Sequence, residues 1–139
     1  MKKRILFLCT GNAARSQMAE GLANAFHGEV VEAVSAGSHP AGWVHPNAIR
    51  AMAEIGIDIH DAESKSADRF ENEAFDVVVT VCDSAARACP SWPNAKRIAH
   101  WPIEDPSWAP EGEQFARFVE TRDDLEKRID ALVAELAGE

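Results

Sequence analysis

The sequence of 139 residues contains no tyrosine, only three cysteines, and no apolar run near the roughly 20 residues that cross a bilayer. The last absence excludes a membrane-spanning helix. Cations are also scarce: 14 Lys and Arg stand against 23 Asp and Glu, a net charge of -9. That balance argues against nucleic acid and anionic membrane surfaces as partners. An anionic ligand must therefore be captured by a local device. Three scattered cysteines are too few for a disulfide-scaffolded secreted domain, so each is either a buried apolar residue or a reactive one. The basic start Met1-Lys2-Lys3-Arg4 has only Ile5 to Leu8 behind it, too short for a signal-peptide core. No targeting signal is expected, and the expected location is cytoplasmic.

What is present is ordinary for a soluble domain: 46% hydrophobic and 27% charged residues, in a length that fits one domain spanning 1–139. Arg4 to Cys9 is a short continuous apolar run, the mark of a strand buried on both faces. Ala14 to His27 has Met18, Leu22, Ala25 and Phe26 at helical spacing and is closed by Gly28. Glu29 to Ser35 predicts a second strand. Pro46 opens a helix from Asn47 to Ile55, stopped by Gly56. Asp76 to Cys82, rich in β-branched residues, predicts the third strand, and Ser84 to Ala88 a short helix. Lys96 to Trp101 predicts a fourth strand. Gly112 to Leu136 predicts a long amphipathic helix. Strands alternating with helices imply an α/β fold, a doubly wound sheet of four parallel strands flanked by helices. Ligands of such sheets bind at the carboxyl ends of the strands, where Cys9, Cys82 and Asp105 fall. Cys9 and Cys82 can meet if the first and third strands are neighbours, about 4.8 Å apart.

The segment Cys9-Thr10-Gly11-Asn12-Ala13-Ala14-Arg15-Ser16 joins a buried strand to a helix. Thr10, Gly11, Asn12, Ala13 and Ala14 can curl so that successive N–H groups point inward and form a nest for an anion. Gly11 and Asn12 tolerate positive φ. The helix adds its N-terminal N–H groups and dipole, and Arg15 can grip two oxygens of a tetrahedral anion with its planar fork. The same field favours the thiolate of Cys9, to which Ser16 can donate a hydrogen bond. A bare Cys-x5-Arg is weak evidence; in this setting, with Gly, Asn and Ser in place, it is strong. Cys82 and Cys89, with six residues between them, fit neither a CxxC motif nor a zinc pair. In a helix their Cα atoms lie about 10 Å apart, so a disulfide between them requires unwinding. Asp105 is open to two readings, since Glu104 adjoins it and an Asp-Pro often only makes a turn.

Cys9 to Gly21 (CTGNAARSQMAEG) resembles the active-site loop of the thioredoxin-coupled arsenate reductases, which share the fold of the low-molecular-weight protein tyrosine phosphatases. The resemblance continues through Ser35-Ala36-Gly37, Pro46 to Met52, Val79 to Pro90, His100-Trp101 and Asp105-Pro106. It implies that Cys9 is the nucleophile, Arg15 the oxyanion clamp, Ser16 the thiolate stabiliser and Asp105 the acid. It further implies that Cys82 and Cys89 relay electrons from reduced thioredoxin to Cys9, with arsenate as substrate, no bound cofactor and a monomeric protein. Two details depart from the family pattern. Ala14 stands where some relatives carry a cysteine outside the relay. Asn12, Glu20 and Ser35 resemble ligands of a potassium ion beneath the loop, but Lys65 stands where an acidic ligand is expected, so no metal site is expected. The histidines are read as loop or surface residues (His27, His39, His45, His60) and as strand-end packing (His100). Two other readings stay open: a low-molecular-weight protein tyrosine phosphatase, and a non-catalytic sensor of oxyanion or arsenite. Against the phosphatase, the acid loop reads Asp105-Pro106-Ser107-Trp108, without the tyrosines of that family's Asp-Pro-Tyr-Tyr loop. Weak phosphatase activity is compatible with the cradle.

Overall fold

Four short strands, all parallel, run in the order β2-β1-β3-β4. In the computed structural model, which describes residues 2–81, 92 and 94–138, they are β1 (Lys3–Cys9), β2 (Val31–Gly37), β3 (Val77–Val81) and β4 (Ile98–Trp101). The helices are α1 (Arg15–His27), α2 (Pro46–Ala53) and α3 (Glu111–Ala137), with single 3-10 turns at Ala67–Phe70 and Pro106–Trp108. β1 pairs with β2 from Lys3↔Val31 to Cys9↔Gly37, and with β3 from Ile5↔Val77 to Leu8↔Thr80. The chain therefore leaves β1 on one side, returns, and continues on the other. That reversal puts the ligand crevice at the carboxyl end of β1, where Cys9 stands.

The unbroken apolar run of β1 has a direct cause. Ile5 and Phe7 enter the core beneath α1, α2 and α3, whereas Leu6 and Leu8 enter a second core with Phe70, Phe75 and Trp92. β3 divides in the same way, with Val77, Val79 and Val81 on the first face and Val78 on the second. Each fully buried side chain of this size contributes about 1.5–3 kcal/mol. α3 presents Phe118, Leu125, Ile129, Leu132 and Leu136 to the first core, as its helical spacing predicts.

Some boundaries shift. β2 begins at Val31, two residues later than its composition predicts, because Val30 N–H closes a turn onto the His27 carbonyl. β4 begins at Ile98, after Lys96 N–H has bonded to the Phe75 carbonyl. α2 ends at Ala53, and Gly56, at φ 81°, turns the chain back so that Ile57 N–H reaches the Met52 carbonyl. The segment 57–76, which has no sequence periodicity, folds over the second core through Ala67, Phe70 and Phe75. Its Ser66 bridges to Gly37 at the end of β2. The expected short helix at Ser84 to Ala88 lies outside the described residues.

Candidate active site

The loop after β1 is shaped by where its carbonyls go. Those of Cys9, Thr10 and Gly11 accept from the N–H groups of Ser38, His39 and Ala41, at 3.2, 2.8 and 2.9 Å. That of Asn12 accepts from Gln17 Nε2 at 3.1 Å. The Ala13 carbonyl accepts from His45 N–H and that of Ala14 from Met18 N–H, at 2.8 and 2.9 Å. In a planar trans peptide the N–H points opposite to the C=O. With every carbonyl from 9 to 14 turned outward, the N–H groups are left facing the hollow bordered by Cys9. Asn12 N–H lies 3.1 Å from Cys9 Sγ. This is an anion nest, completed by the first turn of α1.

Asn12 holds the loop from beneath. It is fully buried and takes φ 49°, the left-handed region that Asn visits more readily than most residues. Its Oδ1 accepts from Lys65 N–H at 2.7 Å and Gln17 Nε2 at 2.9 Å, and its Nδ2 donates to Ser16 Oγ at 2.9 Å and Ser35 Oγ at 3.0 Å. Gly37 is required by close approach: a Cβ there would stand 2.6 Å from the Thr10 carbonyl oxygen. Since Ser16 Oγ already accepts from Asn12, its proton is available to Cys9 Sγ, 2.8 Å away. The buried sulfur thus faces two donors at the N-terminus of a helix.

Arg15 and Asp105 close the mouth. Arg15 is the first residue of α1 and is buried. Its Nη1 donates to the Ile103 carbonyl at 2.8 Å, and its Nη2 stands 3.6 Å from Asp105 Oδ2. Asp105 caps the turn Pro106–Trp108, its Oδ1 accepting from Ser107 N–H at 2.9 Å and Ser107 Oγ at 2.7 Å. The Asp-Pro turn and the acid position are therefore the same feature, with Oδ2 directed to the Arg15 side. Glu104, the adjacent carboxylate, is exposed.

The structure brings Cys9, Thr10, Gly11, Asn12, Ala13, Ala14, Arg15, Ser16 and Asp105 together. Cys82 and Cys89 lie outside the described residues. The described part of β3 ends at Val81, alongside the end of β1. Beneath the loop, Ser35 Oγ donates to Glu20 Oε1 at 2.8 Å, and Lys65 Nζ lies 3.5 Å from the same oxygen. Among the described residues, no group of three or more His, Cys, Asp or Glu side chains is placed to hold a metal ion. No described helix is long and apolar enough to cross a membrane.

Sequence reasoning missed His45 and Gln17. His45 is the N-cap of α2: its N–H holds the Ala13 carbonyl, and its Nδ1 accepts from Asn47 N–H at 3.0 Å. The ring packs 4.6 Å from Phe118 and 5.5 Å from Trp43. Burial holds its pKa below the usual histidine value, partly offset by the negative charge of Asp105. The His-Pro pair at a helix start was the available signal. Gln17 grips Asn12 and the Glu63 carbonyl, contacts to main chain that no residue pattern records. His100 is exposed and not packed in the core; its Nδ1 is hydrogen-bonded to Thr80 Oγ1.

Residues 4–139 match the family described as low molecular weight phosphotyrosine protein phosphatase. An arsenate reductase of Halalkalibacterium halodurans is 47% identical over 131 residues, 92% of this chain and 93% of the relative. A solved arsenate reductase in the phosphate binding state superposes with TM-score 0.83 at 32% identity, covering 96% of this chain and 98% of that one. A thioredoxin-dependent arsenate reductase of Corynebacterium glutamicum superposes with TM-score 0.67 at 31% identity, covering 94% of this chain and 63% of that one.

Proposed function

The chain belongs to the low molecular weight phosphotyrosine protein phosphatase family, and from that premise we propose that it reduces arsenate, with Cys9, Cys82 and Cys89 performing the reduction as a thiol relay. The Cys9 thiolate attacks arsenic in the cradle, and a hydroxyl leaves as water with a proton from Asp105. Arg15 turns its fork onto the oxyanion, and Ser16 and Asn12 N–H hold the sulfur until it reacts. Cys82 then attacks Cys9 Sγ. A Cys9–Cys82 disulfide forms, the sulfur–arsenic bond breaks, and its electron pair stays on arsenic as arsenite. Cys89 attacks Cys82, releasing the Cys9 thiolate, and reduced thioredoxin reduces the Cys82–Cys89 disulfide. No bound cofactor takes part. The chemistry suits a monomer in the reducing cytoplasm, where thioredoxin and free thiols coexist.

One observation carries this reading. β1 and β3 are hydrogen-bonded neighbours, in register up to Leu8↔Thr80, so Cys9 and the end of β3 share one sheet edge. Position 82 follows Val81 directly in the chain. Reduction of arsenate takes two electrons, hence a second thiol within reach of the first. The thioredoxin-dependent relative supports thioredoxin as the reductant.

The deciding experiment is turnover with arsenate, thioredoxin, thioredoxin reductase and NADPH. NADPH oxidation that requires both arsenate and thioredoxin supports the relay. Hydrolysis of an aryl phosphate with no NADPH consumption supports a phosphatase, for which the cradle and Asp105 would suffice. Oxyanion binding without either reaction supports a sensor.

A further inference from the structure

The cradle and the acid come from opposite ends of the chain, and the proposed chemistry needs them in fixed register. Asp105 stands between the edge strand β4 and α3, in a loop with prolines at 102, 106 and 110. Its direct link to the cradle is Arg15, through the Ile103 carbonyl at 2.8 Å and Asp105 Oδ2 at 3.6 Å. That guanidinium must also engage the substrate. A link made by the clamp itself is a poor anchor while the clamp is in use.

A second link avoids the substrate. Ser107, which holds Asp105 Oδ1 through its N–H and hydroxyl, accepts at its own carbonyl from Gln114 Nε2 at 3.0 Å. Gln114 Oε1 accepts from Asn47 Nδ2 at 2.7 Å. Asn47 N–H donates to His45 Nδ1 at 3.0 Å, and His45 N–H donates to the Ala13 carbonyl at 2.8 Å. The hydrogen-bonded and covalent path thus runs from acid to cradle through Ser107, Gln114, Asn47 and His45. The amide orientation of Gln114 is fixed, because a backbone carbonyl only accepts and the NH₂ must face Ser107. Gln114 lies in the first turn of α3, which is seated on α2 by Arg50 over the Phe115 ring at 4.1 Å and by Phe118 against His45 at 4.6 Å.

We infer that Gln114 is a positioning residue for the acid, joining the Asp105 loop to the start of α2 and through it to the oxyanion cradle. The inference rests on the reading of Asp105 as the acid. Gln114 acts through Ser107, and only a side chain that both donates and accepts at this length serves both partners. Glutamate cannot donate to the Ser107 carbonyl, and asparagine is one methylene short.

The test is the rate of first arsenite release from fully reduced enzyme, for Gln114→Ala, Gln114→Glu, Asp105→Ala and Asp105→Ala/Gln114→Ala. Each Gln114 variant is expected to slow that step on the order of tenfold, the scale of a small misplacement of a catalytic group. Phosphate protection of Cys9 against iodoacetamide, which reports the cradle alone, is expected to stay unchanged. The double variant is expected to be no slower than Asp105→Ala, since there is then no acid to position. If the Gln114 defect multiplies onto Asp105→Ala, or phosphate protection falls with the rate, the role is generally structural and the inference is overturned while the acid reading stands. Wild-type rates in both Gln114 variants overturn it likewise. A wild-type rate in Asp105→Ala removes the acid reading and the inference together. Gln114→Glu is nearly isosteric, so it answers even if Gln114→Ala fails to fold.

Discussion

The ammonium of Lys65 stands 3.5 Å from Glu20 Oε1 and 2.9 Å from the Glu63 carbonyl, beneath the cradle loop. Glu20 in turn accepts from Ser35, and Ser35 from Asn12, so the positive charge supports the loop through two hydrogen bonds. If this ammonium serves where a bound monovalent cation would, added potassium has nothing further to supply. Turnover is therefore expected to be unchanged when potassium is exchanged for tetramethylammonium at constant ionic strength. Lys65→Met is expected to lose about 1 kcal/mol of stability, at least the upper range for an exposed pair, because both side chains are largely buried. Its Tm should then rise with added potassium, which wild type should not show. Saturable activation of wild type by potassium would contradict the assignment.

Asn12→Asp tests the underside of the cradle with almost no change in shape. The substitution keeps the acceptor for Lys65 N–H and Gln17 but removes both donors to Ser16 and Ser35. It also puts a carboxylate in a fully buried position close to Ser16 and Cys9. A loss of about 3 kcal/mol is expected from the unpaired groups, roughly 10 °C in Tm. Alkylation of Cys9 by iodoacetamide should slow, because the new negative charge opposes the thiolate. An alkylation rate equal to wild type in the folded variant would show that Asn12 does not act on the sulfur.

His45 gives the fold a pH dependence of defined sign. Burial lowers its pKa from the ordinary value near 6.5, with Asp105 pulling weakly the other way. Between the folded and unfolded pKa values the unfolded chain binds more protons, so stability rises with pH there. This contribution is complete above about pH 6.5 and is lost as pH falls through the lower folded value. Its structural basis is the Nδ1 lone pair that caps α2 by accepting from Asn47 N–H. His45→Asn keeps a capping acceptor without the titration. Plotted against pH, the Tm difference between wild type and His45→Asn should change between neutral and acid pH, with wild type losing ground on acidification. The exposed His60, whose pKa Asp58 and Asp61 raise, acts in the opposite direction in both proteins and cancels from the difference. A pH-independent difference would show that the ring does not titrate across the transition.

The cradle was legible in the sequence because it is local. A two-faced apolar run fixes where β1 ends, and the following residues must then leave an unpaired ring of N–H groups. Ile5 and Phe7 on one face and Leu6 and Leu8 on the other are what that run records. Asp105 was ambiguous because its neighbours are read through space: Ser107, Gln114 and Arg15 define its role, and Arg15 comes from the other end of the chain. The segment 57–76 was hard to assign to the cradle because what it gives the loop directly is mainly backbone, such as Lys65 N–H on Asn12 and the Glu63 carbonyl on Gln17. Backbone groups are common to every residue type and leave no pattern. His45 was passed over for a related reason: its N–H, as much as its ring, serves the site.

The order of the relay gives the most discriminating prediction. Cys9 is a free, buried thiol beside the donors of Ser16 and Asn12, and β3 runs alongside β1 toward the same edge. If Cys82 is the thiol that attacks Cys9, Cys82→Ser should stop arsenite release altogether, because nothing else displaces the arsenic adduct. Cys89→Ser should release about one arsenite per enzyme and stall as a Cys9–Cys82 disulfide, since no further thiol is available for exchange. Wild type given arsenate without thioredoxin should stall later, with Cys9 free and Cys82 bonded to Cys89. Mass mapping of the disulfides in the three stalled species reads the order directly. Cys9→Ser provides the zero point, folded and inactive, since oxygen replaces the only atom that attacks arsenic. Equal single-turnover yields from Cys82→Ser and Cys89→Ser, or no Cys82–Cys89 bond in wild type, would refute the relay. The electrons would then have to reach Cys9 directly from an external thiol, and Cys82 and Cys89 would be left without a role in the chemistry.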